Sequence, residues 1–268
     1  MSRLKISAIS YLNTAPLMWD FEHGSGAEFE LSYTIPSACA QALLEGSADI
    51  GIIPAAAYAT IPELVIVPDV AIAARQEVRS ILLVSKVPIE NVRTVALDTS
   101  SMTSVALTKI LFAKWLGGAR AYVPMAPELE TMLAGCDAAL LIGDPALKVD
   151  RTRYVTLDLA EEWIKQTGKS FVFAFWAIRS AALAGRNTSA IAEAFQSSRH
   201  HGLSPNNLEI IVQEWSGRLN LPAATVRTYL TENIHYYLDP PCLEGLVLFY
   251  RYAAEIGALP PAPELRFL

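Results

Sequence analysis

Ile6-Ser7-Ala8-Ile9-Ser10-Tyr11-Leu12-Asn13-Thr14-Ala15-Pro16-Leu17 joins an apolar segment of strand character to a knot of hydroxyls and one carboxamide. A helix-like run, Pro16-Leu17-Met18-Trp19, follows. Polar side chains and free backbone N–H groups at a strand-to-helix turn suit a small anionic ligand. The arrangement returns later in the chain. Thr94-Val95-Ala96-Leu97 reads as a strand, and Thr99-Ser100-Ser101-Met102-Thr103-Ser104 opens a helix over Val105 to Leu116 that Gly117-Gly118 ends.

The two halves share more than this turn. In the first, a helix from Ala38, which Ser37 can cap, stops at Gly46, and Asp49 precedes a strand closed by Pro54. In the second, a helix opened by Pro127 stops at Gly135, and Asp137 precedes a strand closed by Pro145. Asn13 lies 36 residues before Asp49, and Ser101 lies 36 before Asp137. A shared order at a shared spacing predicts two similar α/β lobes, each with a largely parallel sheet. Further strands are expected at Phe29 to Tyr33 (after a turn at His23-Gly24-Ser25-Gly26), at Leu64 to Val67 and at Val78 to Ser85. Two long apolar strands, Ser80 to Val84 and Phe171 to Ile178, fall where the chain would cross between lobes and suit a hinge or cleft wall. From Thr188 onward the pattern is helical: Ser189–His201, Asn206–Arg218, Ala223–Tyr237 and Leu243–Ile256, with Pro205, Pro222 and Pro240 at the starts.

Composition narrows the function classes. The 268 residues are 52% hydrophobic and 18% charged, with mean hydropathy +0.30, which describes a well-buried globular chain. A net charge of −6 and a pI near 5.3 argue against nucleic acid as partner. Arg3 and Lys5 precede no continuous apolar stretch, because Ser7, Ser10, Asn13 and Thr14 interrupt it, and no run is long enough for a membrane span. Cys39, Cys136 and Cys242 are odd in number, scattered and without metal spacing, as in a reducing compartment. A cytoplasmic protein is expected; nothing in the pattern assigns an oligomeric state.

No common catalytic or cofactor motif is present. His23, His200, His201 and His235 form no ligand pair with an acid at helical spacing, so no metal is expected. No Gly-x-Ser-x-Gly elbow, Cys–His neighbour, phosphate loop or Gly-x-Gly-x-x-Gly fingerprint occurs. What remains is a cleft lined by Ser10, Tyr11, Asn13, Thr14, Ser80, Thr99, Ser100, Ser101, Thr103 and Ser104. Hydroxyls and amides at two facing helix N-termini can bind carboxylates with few cations. Each residue has a plainer alternative. Ser100 and Thr103 also have the chemistry of helix caps, Asn13 that of a turn, and Asp144 before Pro145 that of a turn or a cleft edge. Arg79 and Ser80 point to opposite faces of one strand, so only one of them faces a ligand.

Ile9 to Pro16, Val78 to Leu83, Leu97 to Ser104, Leu141-Ile142-Gly143-Asp144, Phe171 to Trp176 and Leu243-Glu244-Gly245-Leu246 together resemble the chorismate dehydratases of the futalosine route to menaquinone. The resemblance spans nearly the whole chain. It implies the two-lobed fold of type II periplasmic solute-binding proteins, with the ligand in the cleft between lobes. One lobe would comprise residues 1–85 and 178–268, including a helical C-terminal extension, and the other residues 86–177. It also implies a cofactor-independent lyase whose small-molecule substrate, chorismate, is a dianion. Asn13 would orient the reacting centre or its leaving hydroxyl, and Ser80 would hold a carboxylate or the hydroxyl. Ser10, Tyr11, Thr14, Arg79, Thr99, Ser100, Ser101, Thr103, Ser104, Asp144, Phe173 and Trp176 would bind substrate. Met102 stands where the resemblance leads one to expect a basic residue. The related enzyme that forms 1,4-dihydroxy-6-naphthoate carries a different, cysteine-containing opening motif. A transporter's solute-binding protein would carry a signal peptide.

Overall fold

The computed structural model describes residues 3–24 and 29–268. Ser25 and Gly26 of the expected turn lie outside the described residues. Among the described residues ten strands are seen in chain order: β1 (Leu4–Ile9), β2 (Phe29–Thr34), β3 (Ile50–Pro54), β4 (Leu64–Ala74), β5 (Ile81–Ser85), β6 (Thr94–Asp98), β7 (Ala121–Met125), β8 (Ala138–Ile142), β9 (Val155–Asp158) and β10 (Phe171–Arg179). They form two five-stranded sheets, β2-β1-β3-β10-β4 and β7-β6-β8-β5-β9. In each, a parallel trio is followed by one antiparallel strand that the other half of the chain supplies. The two topologies superpose strand for strand, so the duplication read in the sequence is a duplication of architecture.

Local chemistry explains the repeat. The Asp49 carboxylate accepts the Lys5 N–H at 3.0 Å, fastening β3 to the start of β1. In the second module Asp137 accepts the Arg93 and Thr94 N–H groups at 2.9 Å, fastening β8 to β6. Gly46 ends the helix Pro36–Glu45 in the left-handed region (φ 76°). The Ser37 side chain does not cap that helix; its N–H instead donates to the Ser100 carbonyl of the other lobe. Central strands β3, β5 and β8 are buried along their whole length, the mark of sheets covered on both faces, whereas edge strand β2 alternates.

The expected lobe boundaries need correcting. β5 pairs with β8 and β9 in the second sheet, and β10 pairs with β3 and β4 in the first. The chain therefore crosses before β5 and before β10, not at 85/86, after β5, or at 177/178, within β10. One carboxylate organises both crossings. Asp158, 1% exposed, caps the helix Leu159–Thr167 through the N–H groups of Ala160 and Glu161, and accepts those of Val78 and Arg79. Arg79 takes a left-handed backbone (φ 63°) at this junction.

The C-terminal third is helical over Thr188–Gly202, Pro205–Leu219 and Pro240–Glu255, with Pro205 and Pro240 in the first turn. The run expected over Ala223–Tyr237 ends earlier. An α-turn Ala223–Thr228 passes into a π-helical turn Tyr229–Asn233, and His235 bridges to Ala73 of β4. Phe267 bridges Ile66 on the same strand, so both cover an edge that would otherwise be open. The extension is not confined to the first lobe. Helix Pro240–Glu255 packs Phe249 on Phe171 of the first sheet, and its Tyr252 meets Trp115 and Trp163 of the second lobe. One large core accordingly runs through both sheets at the back of the molecule.

Candidate active site

Between the sheets lies a cleft enclosing about 460 Å³ of open space, its mouth included. Ile9, Tyr11, Asn13, Pro36, Pro54 and Ile72 line it from the first lobe, and Ser101, Thr103, Ser104, Ile142 and Gly143 from the second. Phe173 and Ala174 of β10 and Ile81 of β5 complete the wall. No Asp, Glu, His, Lys or Arg is among these lining residues. An acidic chain has built here an uncharged pocket with a few oriented polar groups.

Each polar group is set by its local element. After β1 the chain enters a 3-10 turn, Leu12–Met18, rather than an α-helix, with Pro16 inside it. Thr14 makes the turn by donating its hydroxyl to the Ile9 and Tyr11 carbonyls, at 2.5 and 2.7 Å. That hydroxyl is consumed locally, so Thr14 does not reach the cleft. The turn instead presents Tyr11 and Asn13. The Tyr11 ring lies on Gly143, where a Cβ would approach it to 2.7 Å and where φ is +63°. Only glycine satisfies both conditions. Burial, reinforced by the Asp98 and Asp144 charges, pushes the Tyr11 phenol up, against the influence of the neighbouring Ser100 side chain.

Four further contacts hold the lobes together over the cleft. The Thr103 hydroxyl accepts the Ala56 N–H at 3.1 Å and donates to the Phe173 carbonyl at 3.0 Å. Asp144 accepts the Leu12 N–H at 3.0 Å, and Ser37 N–H donates to the Ser100 carbonyl at 3.1 Å. Burial pushes the Asp144 carboxyl up, against the Leu12 hydrogen bond and the Arg218 charge. Ser101 and Ser104 line the pocket beside the N-terminus of helix Thr103–Lys114, whose first-turn amides have no intrahelical acceptor.

The expected set thus divides. Tyr11, Asn13, Ser101, Thr103, Ser104 and Phe173 come together at the cleft. Ser100 and Asp144 stand directly behind Tyr11 and Leu12. Ser80 is fully buried, accepts the Tyr229 hydroxyl at 2.7 Å, and takes the Gly143 N–H on its carbonyl, so it supports the wall without lining it. Arg79 belongs to the crossing clasped by Asp158. Ser10 is turned to the outer side, where its hydroxyl accepts from Arg218 at 3.0 Å. Thr99 is exposed, and Trp176 packs against Phe21 and Phe195 across the first sheet; neither meets the cleft.

Sequence reasoning passed over four groups. Asp98, 1% exposed, accepts the Ser100 N–H and hydroxyl on Oδ1, while Oδ2 is buried without a partner; burial pushes this carboxyl up. Tyr229, Asp158 and Arg218 are the others. Their signal is weak because each acts across a large sequence separation. Among the described residues one His/Asp/Cys group, His235, Asp239 and Cys242, is close enough to chelate, and because His235 and Asp239 are paired four residues apart, the expectation that no histidine has an acid at helical spacing is corrected. Its atoms are already engaged. Asp239 caps helix Pro240–Glu255 and pairs with Arg75 and His235, and the buried Cys242 thiol is pushed up to about 12. A thiol that resists deprotonation beside a guanidinium is a poor metal site.

The topology and cleft define a protein of the two-lobed periplasmic-binding-protein fold. Solved structures agree. A protein from Archaeoglobus fulgidus matches with a TM-score of 0.73 at 14% identity, covering 96% of this chain and 98% of that one. The periplasmic aliphatic sulphonate binding protein of Escherichia coli matches with a TM-score of 0.67 at 17% identity, covering 99% and 96%. Within that fold, the chain belongs to the menaquinone biosynthesis family, whose model matches residues 4–255. It is a homologue of the chorismate dehydratase of Thermus thermophilus, 30% identical over 272 residues that cover 94% of each chain. Among the described residues no helix is long and apolar enough to cross a membrane.

Proposed function

We propose that this chain is a chorismate dehydratase, a cofactor-independent lyase that converts chorismate to 3-[(1-carboxyvinyl)oxy]benzoate and water. The observation that carries the reading is the near full-length likeness to a chorismate dehydratase. The cleft suits the chemistry. Removing the ring C3 proton and breaking the C4–O bond leaves an aromatic ring, and the departing hydroxide takes up a proton to become water. Aromatisation supplies the driving force, so the protein need only hold the substrate, favour charge on the ring carboxylate and orient the leaving group.

The residue roles follow from position. Ser101, Ser104 and the first-turn amides of helix Thr103–Lys114 would receive a carboxylate. Phe173 and Ile81 would pack the ring, and Asn13 would meet the reacting carbon or its hydroxyl. With no carboxylate or histidine lining the pocket, and the Tyr11 phenol pushed up by burial, the substrate's own enolpyruvyl carboxylate is the base best placed to take the C3 proton. The test is incubation of purified protein with chorismate, following an aromatic product lighter by one water. Folded protein that binds chorismate and forms no product would overturn the reading in favour of a binding protein.

A further inference from the structure

Helix Pro240–Glu255 has one face in the core shared by the lobes and another open to solvent at the back of the molecule. Along the open face run Glu244 and Arg251, with side chains 60% and 63% exposed, and between them Val247, 57% exposed. They follow one another at spacings of three and four residues, which places them on one stripe of the helix. Val247 is the most exposed large apolar side chain among the described residues. Two adjoining depressions meet at Val247 and Arg251. The first encloses about 870 Å³ and continues to Leu243 and Leu248, and the second encloses about 1170 Å³ and continues to Ala254 and residues 261–265. A helical stripe with an apolar centre and charged ends has the make-up of a contact surface.

The charges say which partner it fits. Glu244 and Arg251 are two helical turns, about 10.5 Å, apart, and their midpoint falls between Val247 and Leu248. A second copy laid antiparallel across that midpoint sets Glu244 of one protomer against Arg251 of its partner, and the reverse, with Val247 and Leu248 of both at the centre. A two-fold contact demands this exchange, since a residue that meets a second must be met by the first in return. Parallel helices would instead set Glu244 against Glu244. Both residues already hold exposed intrachain partners, Lys169 at 2.6 Å and Glu255 at 3.7 Å, so pairing between chains extends a network rather than burying a lone charge. The wider face is balanced as well, with Lys114, Lys169 and Arg251 against Glu244, Glu255 and Glu264. Two chains of net charge −6 repel over most of their surface, and that repulsion is least where a neutral face carries both signs. We infer that helix Pro240–Glu255 is the two-fold contact of a homodimer, packed antiparallel on its copy about Val247. The contact lies away from the cleft and leaves it free in both protomers.

Sedimentation equilibrium of the full chain tests this. The expected result is a reversible dimer of twice 29.2 kDa, with a Kd on the order of micromolar for a contact built mainly on one helix. Glu244→Arg alone, or Arg251→Glu alone, brings like charges together at two places and weakens the dimer at least about tenfold. The Glu244→Arg/Arg251→Glu double variant exchanges the signs and returns to within about threefold of the parent. All the altered side chains are exposed, so circular dichroism should show the parent fold in each variant. A parent that stays monomeric at roughly 100 μM would overturn the inference and leave the face to a different protein or to none. A dimer indifferent to the single reversals, or a double variant no tighter than the singles, would equally overturn it. None of these readouts needs turnover, so they stand apart from the dehydratase reading.

Discussion

Thr103→Val tests what holds the cleft closed. The substitution keeps the shape and removes one hydroxyl, which serves two backbone groups of the opposite lobe, Ala56 N–H and Phe173 C=O. Thr103 is 3% exposed, so in a molecule that stayed shut both groups would be left dry. At about 1–3 kcal/mol each, that is about 2–6 kcal/mol, against a total stability on the order of 5–15 kcal/mol. Opening the cleft offers a cheaper route, because water then reaches both groups. The cost falls to the two net hydrogen bonds, about 1–3 kcal/mol. It is charged to closure rather than to folding. The closed form is then disfavoured about 5- to 150-fold, and KM for a substrate bound between the lobes rises by that factor. Thermal melting of the ligand-free protein changes little, and Thr103→Ser, which retains the hydroxyl, stays near the parent. The assay is steady-state kinetics on chorismate for the three proteins, with melts run alongside. Valine at parent KM and parent melting temperature would show that this hydroxyl does not bridge the lobes.

Asn13→Ala should lower kcat by about 100-fold or more, the scale of losing one oriented transition-state partner, with the fold retained by circular dichroism; parent turnover would remove Asn13 from the mechanism. Gly143→Ala combines a left-handed backbone with a Cβ driven against the Tyr11 ring, and should cost at least about 1–2 kcal/mol in urea melts. Adding Tyr11→Ala should recover the steric part and not the backbone part, whereas parent stability for Gly143→Ala would contradict the close approach. Asp137 is held below the usual carboxylate range by the Arg93 and Thr94 N–H groups, so its stabilisation is present above an unfolded pKa of about 3.9 and is lost as pH falls through the lower folded value. Asp137→Asn should therefore be less stable than the parent at neutral pH, with a gap that closes on acidification; a gap independent of pH would refute the argument.

What could be read in the sequence was whatever local chemistry repeats. The Asp49 and Asp137 carboxylates stand before β3 and β8 because each clips the neighbouring strand, and the shared spacing from Asn13 and Ser101 follows from that. The strands β5 and β10 were visible as strands, but not their sheet. Both are buried on two faces, and an unbroken apolar run carries no mark of which neighbours it joins. Hydroxyl residues were over-assigned to the cleft for a related reason. Thr14 turns its hydroxyl back to carbonyls five and three residues before it, a local bond indistinguishable in sequence from one to a ligand. Tyr229 carried no signal at all. Its place in an apparently regular helical run hides the π-helical turn, and its bond to Ser80 is made entirely by tertiary packing.

The duplicated modules differ in what their polar turns offer to the cleft. Both modules place a polar turn after their first strand, and two such turns face each other across the cleft. In the second module the turn opens the twelve-residue helix Thr103–Lys114, so its assets are helix-end amides and the hydroxyls of Ser101 and Ser104, groups that favour negative charge. In the first module the turn is a seven-residue 3-10 segment containing Pro16, packed beneath the C-terminal helix Thr188–Gly202 so closely that a Cβ at Gly202 would strike the Pro16 carbonyl. That cover fixes the first turn as a 3-10 segment, whose hydrogen-bond geometry is poorer than that of a regular α-helix. The two faces of the cleft are therefore unequal, with helix-end amides and the hydroxyls of Ser101 and Ser104 on one side and Tyr11 and Asn13 on the other.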